Sequence, residues 1–395
     1  MKKSSVKRLS LLLLVVGIVG CVNAQDASKI NIVTTAVPFL RITPDARAGG
    51  MGDVGVATTP DANSNFWNLA KIPFTKNDNS VGATYTPWLH ALGLNDVYFL
   101  SAAGYHKIDG INAIAASIRY FSLGNIQFTN ENGDNLNSYN PYELGFDFGY
   151  TRKLGEKLGL GVSLRYISSS LANGASSNGV VYKTGTSVAG DISLFKNAPG
   201  ENGEGISWGV ALSNLGAKIG YTNDARNKDY IPANLGAGIS YTSVPNESNR
   251  ISFSLDVNKL LVPAAPVSNG DASAYSADSL AYRTQSVISS YFKSFKGGNQ
   301  LQLLQGSLGI EYCYADQFFL RTGYHYEDAS QGNLKYLTFG AGLKYNIVNI
   351  DLSYLVPSGG SGINQNPLSN TLRFGVTFDL NGGSDNTVSP ATDPN

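Results

Sequence analysis

The chain is poor in the residues that usually carry chemistry. It has two cysteines, Cys21 and Cys313, and three histidines, His90, His106 and His325, far apart along the sequence. No H-x-x-H or Cys/His pair occurs, so no metal centre built from clustered ligands is expected, and each histidine reads as satisfied or solvated. Charge is scarce as well, at 15% of residues, with 29 basic against 29 acidic side chains. That balance carries no electrostatic footprint for nucleic acid. Beyond the first 25 residues no run of about 18 apolar residues exists, which excludes a transmembrane helix. What is abundant is glycine (44), tyrosine (22) and phenylalanine (17). Such a composition leaves one membrane class open, the β-barrel, whose strands give only a weak hydropathy signal.

The N-terminus reads as an export signal. Lys2, Lys3, Lys7 and Arg8 precede an apolar run from Leu11 to Val19, too short to span a bilayer, and small residues follow. Cleavage after Ala24 competes with a lipobox-like reading of Ile18-Val19-Gly20-Cys21 that would lipidate Cys21; cleavage after Ala24 is preferred. It leaves Cys313 alone, without an intrachain disulfide.

Alternation with period two dominates the remainder. In NTLRFGVTFDL, Leu372, Phe374, Val376, Phe378 and Leu380 share one face, and Arg373, Gly375, Thr377 and Asp379 the other. KLGLGVSLRY and YELGFDFGYT repeat the pattern. Similar segments predict strands near 81–89, 96–107, 111–121, 142–153, 157–168, 186–196, 205–214, 232–242, 250–260, 301–315, 317–326, 335–346, 348–356 and 371–380. The connections alternate between short turns (KIDGIN, LGEK, ADQ, NIVN) and longer polar stretches such as 122–141, 169–185, 215–231, 260–300 and 357–370. Short inner turns and long outer loops mark an outer-membrane barrel. The expected fold is therefore all-β, a transmembrane antiparallel barrel of about 14 strands in the bacterial outer membrane with both termini periplasmic. The domains follow as a signal peptide (1–24), an N-terminal luminal plug (25–80), the barrel (81–380) and a disordered tail (381–395).

RAGGMGDVGVA, residues 47–57, contains G-x-G-x-x-G at Gly50, Gly52 and Gly55. A dinucleotide site needs an apolar strand before these glycines and a helix after them. Pro44 breaks the upstream segment and Pro60 the polar downstream one, so packing in a crowded space is the better reading and no cofactor is expected. Arg47, Gly49, Gly50, Gly52, Gly55, Phe66 and Trp67 are the candidate plug-packing residues. The stretch FLRITPDARAGGMGDVGVATTPDANSNFWNLAKIPF, residues 39–74, resembles the N-terminal signature of the PorV family, with Asn68-Leu69-Ala70 where that pattern has Asn-Pro-Ala. The resemblance implies a barrel of the type IX secretion system, related in fold to FadL-like long-chain fatty-acid transporters, with the N-terminal segment as a luminal plug. It also implies a non-enzymatic shuttle. Its partners would be the type IX translocon barrel, the C-terminal signal domains of secreted cargo, the sortase-like attachment complex and outer-membrane lipid.

Gly205-Ile206-Ser207-Trp208-Gly209 matches a nucleophile elbow but lies within an alternating strand, so no catalytic residue is assigned. Arg119, Asp147, Arg165, Asp191, Asp256, Glu311, Arg321, Lys344, Asp351, Arg373 and Asp379 all fall on the inward face. Mixed signs argue against an ion-selective ring. They suggest either paired networks with the plug, through Arg41 or Arg47, or a solvated lumen. In the loop 260–300, one helical stripe collects Leu280, Val287, Ile288, Tyr291, Phe292 and Phe295, with Asp278 or Ser279 as the cap and Gly297-Gly298 as the stop. It is the candidate partner-binding element, or else a lid on its own barrel. Two further readings stay open: FadL-like transport of hydrophobic small molecules, and a sister barrel that stays in the attachment complex.

Overall fold

The computed structural model describes residues 35–89, 93–129, 132–177, 179–200, 203–224, 227–266, 271–296, 300–328, 331–358 and 371–380. The signal segment with Cys21, the tail 381–395, His90 and Gly297-Gly298 lie outside the described residues. The strands in chain order are β1 (Asn79–Pro87), β2 (Val97–Lys107), β3 (Asn112–Leu123), β4 (Ile126–Thr129), β5 (Asn135–Tyr139) and β6 (Tyr142–Lys153). Next come β7 (Leu158–Ser170), β8 (Ser176–Ser177), β9 (Val180–Val181), β10 (Gly185–Lys196), β11 (Gly205–Gly216) and β12 (Asn234–Asn246). The last six are β13 (Asn249–Leu260), β14 (Leu304–Tyr314), β15 (Phe318–Glu327), β16 (Lys335–Tyr345), β17 (Val348–Pro357) and β18 (Leu372–Leu380).

Fourteen of these strands close into one antiparallel barrel, with β1 paired to β18 from Asn79–Leu380 to Tyr85–Phe374. Side-chain period fixes which face each residue takes. On β7, Val162, Leu164 and Tyr166 stand exposed on the outside, while Gly161, Ser163 and Arg165 are buried inside. Among the described residues no helix is long and apolar enough to cross a membrane. All the short turns fall at the end of the barrel where β1 begins and β18 stops, here the turn end; the long connections gather at the loop end.

The connections 122–141 and 169–185, polar as expected, also carry the hairpins β4–β5 and β8–β9. Three sequence expectations need correction. The single loop helix is two helices, α3 (Ala272–Thr284) and α4 (Val287–Lys293), numbered after two short ones in the N-terminal segment, α1 (Ala46–Gly49) and α2 (Ser64–Trp67). Neither Asp278 nor Ser279 caps the loop helix. Asp271 does, its carboxylate accepting from Ser273 N and Ala274 N. Finally, β1 starts two residues before the boundary at 81.

The N-terminal segment runs through the ring. Arg119 of β3 donates to the Leu40 carbonyl (3.1 Å), and Asn65 donates to Ser117 of the same strand (2.9 Å). Asn68 reaches the Leu194 carbonyl on β10 (2.9 Å), and Gly52 N donates to Thr338 on β16 (2.7 Å). Partners spread around the circumference place the segment inside the wall. Toward the loop end, Val37, Phe39 and Leu40 pack with Trp88, Phe99, Phe121, Ile167, Ile219 and Ile231 into one apolar cluster. Ile219 and Ile231, between β11 and β12, thus fold inward over the plug, and Ala36 N donates to the Tyr230 carbonyl.

Candidate functional site

The glycine-rich stretch is where plug backbone meets wall. Gly52 has φ +69°, and a Cβ on it would stand 2.6 Å from the Leu308 carbonyl oxygen and the Tyr324 nitrogen. The Trp67 ring lies over Gly55 so closely that a Cβ there would be 2.2 Å from it. Gly55 N and Val56 N do bind a carboxylate, but it belongs to the wall: Asp256 Oδ2 accepts from both, at 2.7 and 2.9 Å. An internal anion therefore occupies the pair of amides that a phosphate motif would have offered. Asp45 caps α1 through Ala48 N (2.8 Å) and accepts from Trp67 Nε1 (2.7 Å) with its other oxygen. Lys71, buried, donates to the Gly55 carbonyl (2.7 Å) and Thr58 (3.1 Å), and burial pushes its amine down to about 8. Gly49, Gly50 and Phe66 belong to the same contact: Gly49 lies against Arg373, Gly50 against the Gly340 backbone, and Phe66 beneath the Arg119 guanidinium, 4.9 Å from its ring centre.

Arg47 ties this segment to the wall. Its guanidinium makes a bidentate pair with Glu311 (Nε–Oε2 3.0 Å, Nη2–Oε1 2.9 Å) and a further bond to Asp61 (2.7 Å). Glu311 also accepts from Arg321 (2.7 Å), which pairs with Asp351 (2.6 Å). Across the lumen, Arg165 joins Asp147 and Asp191, the second at 2.9 Å. Arg41 pairs with Glu327 (3.0 Å) and Lys344 with Asp379 (2.7 Å). Of the two readings of the inward charges, the networked one describes these residues: burial without a partner would be costly for either sign. Arg119 and Arg373 are exceptions: Arg119 bonds the Leu40 carbonyl with its Nε unbonded, and Arg373 has Nε and Nη1 unbonded, among the described residues.

Below the plug, at the turn end, a cavity of about 950 Å³ opens between Phe74, Tyr105, Arg250, Cys313, Asp316 and Lys344. Ser207 of the elbow-like motif lines it from a strand, without a histidine neighbour. Cys313 is buried and unpaired, with its sulfur 3.3 Å from the Arg250 guanidinium. His325 bonds Ser307 (2.9 Å) and stacks on Tyr336, and His106 bonds Asn79 (2.6 Å). Among the described residues no cluster of metal-binding side chains exists.

At the loop end the predicted stripe is divided. Val287 and Tyr291 turn toward the barrel: Val287 packs near Tyr230, Leu260 and Val262, and the Tyr291 hydroxyl accepts from Gly216 N (3.1 Å). Leu280, Ile288, Phe292 and Phe295 remain exposed, Ile288 and Phe292 by 68% and 70%. The break falls at Gln285 and Ser286, both extended. Lys218 holds it there, donating to the carbonyls of Tyr282 (3.3 Å), Arg283 (2.7 Å) and Gln285 (2.9 Å) while standing 3.9 Å over the Tyr230 ring. Nothing in the sequence pattern flagged Lys218, because its partners are backbone carbonyls more than 60 residues away.

Comparison with known proteins gives a family and a fold. The family described as type IX secretion system protein PorV matches residues 24–267. A comparison with curated proteins gave no match. Among solved structures, the TodX deltaS2S3 mutant monoaromatic hydrocarbon channel is 13% identical, with 85% of this chain and 98% of that one covered at a TM-score of 0.50. The Ralstonia pickettii toluene transporter TbuX is 14% identical over 84% and 95%, at 0.49. A Pseudomonas aeruginosa FadL homologue is 11% identical over 89% and 100%, at 0.46.

Proposed function

The chain belongs to the PorV family of type IX secretion system proteins, an outer-membrane component of that apparatus, and from this premise we propose that it is a non-enzymatic cargo shuttle. It receives exported proteins by their C-terminal signal domains at the translocon barrel and passes them to the sortase-like attachment complex on the cell surface. The turn end and both termini face the periplasm, and the loop end faces outward. The helix pair is the docking element, through Leu280, Ile288, Phe292 and Phe295, with Val287 and Tyr291 anchoring it to the rim. The hairpins β4–β5 and β8–β9 add polar contacts beside it.

The observation that carries this reading is the filled lumen. The plug is bonded to β3, β10, β13, β14 and β16, and the inward face is charged with most of its charges bonded, so binding belongs on the outside. Transport of a hydrophobic small molecule is the alternative, by analogy with the toluene transporters of the same fold. A path lined by Arg47, Glu311, Arg321 and Asp351 suits it poorly, because ligand sites for such molecules are mostly apolar.

The test is capture of the tagged barrel in mild detergent from cells blocked in cargo release, with mass spectrometry of what accompanies it. A very large translocon barrel, or exported proteins retaining their C-terminal domains, is the expected recovery. Deletion of residues 277–296 should abolish it. A barrel recovered alone with bound fatty acid, from cells that secrete normally without it, would replace the shuttle by the transporter.

A further inference from the structure

The position of α4 relative to the wall shows what its exposed face meets. Strand parity puts Ser254, Asp256 and Asn258 inside β13, so Lys259 points outward. Its cross-strand partners are Leu235 on β12 and Leu304 on β14, both on the same outer face. Lys259 is nevertheless only 5% exposed, because Phe295, two residues past the end of α4, covers it with the ring 5.3 Å from Nζ. Tyr291, one turn earlier, meets Gly216 at the end of β11, where that strand has parted from β12: their pairing stops at Ser213–Asn234. So α4 starts on the rim at Val287, and the segment that follows it reaches the outer face at the loop-end edge of β13.

The helix α4 packs inward through Val287, Ser290 and Tyr291, with its C-cap Ser294, and both serines bond carbonyls of their own turn. Its bulkiest apolar side chains, Ile288 and Phe292, and Phe295 just beyond it, face away. Lys293 and Lys296 flank that apolar face and are exposed. A helix lying in a bilayer interface has this arrangement: apolar side chains toward the acyl chains, with basic ones reaching back to the headgroups. Farther down the outer face, Ile239, Leu255 and Leu308 of β12–β14 form an exposed apolar row.

We propose that α4 is an interfacial helix, with Ile288, Phe292 and Phe295 among the acyl chains of the leaflet at the loop end. It widens the membrane footprint of the barrel on the β11–β13 side and shields Lys259 from hydrocarbon. The inference rests on the barrel and its parity, not on the shuttle. A partner that engages this face does so at the lipid surface.

The test uses the full chain with Cys313 replaced by serine and a single cysteine introduced by Phe292→Cys, labelled with an environment-sensitive fluorophore. The protein is reconstituted in phosphatidylcholine vesicles containing nitroxide-labelled acyl chains, and a second sample is titrated with aqueous iodide. An Asn137→Cys label on β5 is the water-exposed control. Lipid quenching at 292 should exceed that at 137 by ~2-fold or more, with iodide quenching reversed in order, as interfacial burial requires. Equal iodide access at both sites, with no lipid quenching at 292, would overturn the proposal and place this face in water. The double change Ile288→Asp/Phe292→Asp, read by a label at Phe295→Cys, gives the second measurement. Lipid contact should be lost while the heat-modifiable gel mobility of the folded barrel is kept, and retained contact would also overturn the proposal.

Discussion

At Gly52 the conformation and the surroundings both reject a side chain. The left-handed φ strains an L-residue, and the Leu308 carbonyl occupies the space of a Cβ. Gly52→Ala should therefore destabilise the barrel by about 1–3 kcal/mol, the usual range for forced overpacking. Denaturant titration in detergent, followed by heat-modifiable mobility, reads this. Gly306→Ala, at a glycine with no atom within 4 Å of its Cβ position, should leave the midpoint unchanged. The Arg47–Glu311 pair gives a second residue-scale prediction. Arg47→Met should cost about 3 kcal/mol by leaving Glu311 short of a partner. The double change Arg47→Met/Glu311→Gln should cost less than the sum of the single changes, since both remove the same contact. The crowding of glycines after Pro44 pointed to close packing, but the two one-turn helices that carry Arg47, Gly49, Phe66 and Trp67 were not legible, being too short for a period to register. That Asp256 is the anion on Gly55 and Val56 was not legible: parity turned it inward, but a separation of 200 residues hid its partner.

The helix pair behaves as an element tied to the barrel at few points, and Lys218 is the strongest of them. Lys218→Met should release the end of α3. Amide exchange across 272–293 should then rise by about 5- to 30-fold, equivalent to about 1–2 kcal/mol of lost local protection, with the barrel strands unaffected. Exchange that is unchanged would mean the pair is held elsewhere. Every barrel strand was legible because alternation over nine or more residues has no competing helical reading. The two hairpins in the loops were not: β8 and β9 have two residues each, too few for a period to register. The break between α3 and α4 was hidden because Leu280 and Val287 stand seven apart, a spacing that an uninterrupted helix also satisfies.

The molecule as a whole is a filled cylinder with one open end. A cavity of about 950 Å³ sits at the turn end, and apolar packing around Phe39 and Phe99 closes the other. Planar-bilayer recordings should accordingly show no steady ion conductance for the intact protein. A variant lacking residues 35–75 but still closing its barrel should conduct. Steady current through the intact protein would mean that the plug leaves a continuous path.

The seam between β1 and β18 has a consequence in time. The plug is made first, yet Asp256, Glu311 and Thr338, which hold it, lie in the second half of the chain, and the seam needs the last strand. Backbone against backbone at Gly50–Gly340 and Gly52–Leu308 leaves no clearance for a chain entering a finished ring. The N-terminal segment must therefore already lie within the unfinished curl of strands when β18 arrives. Closure and filling are thereby expected to be coupled in the full chain, and pulse-labelling that found β1–β18 paired before the plug is protected would separate them.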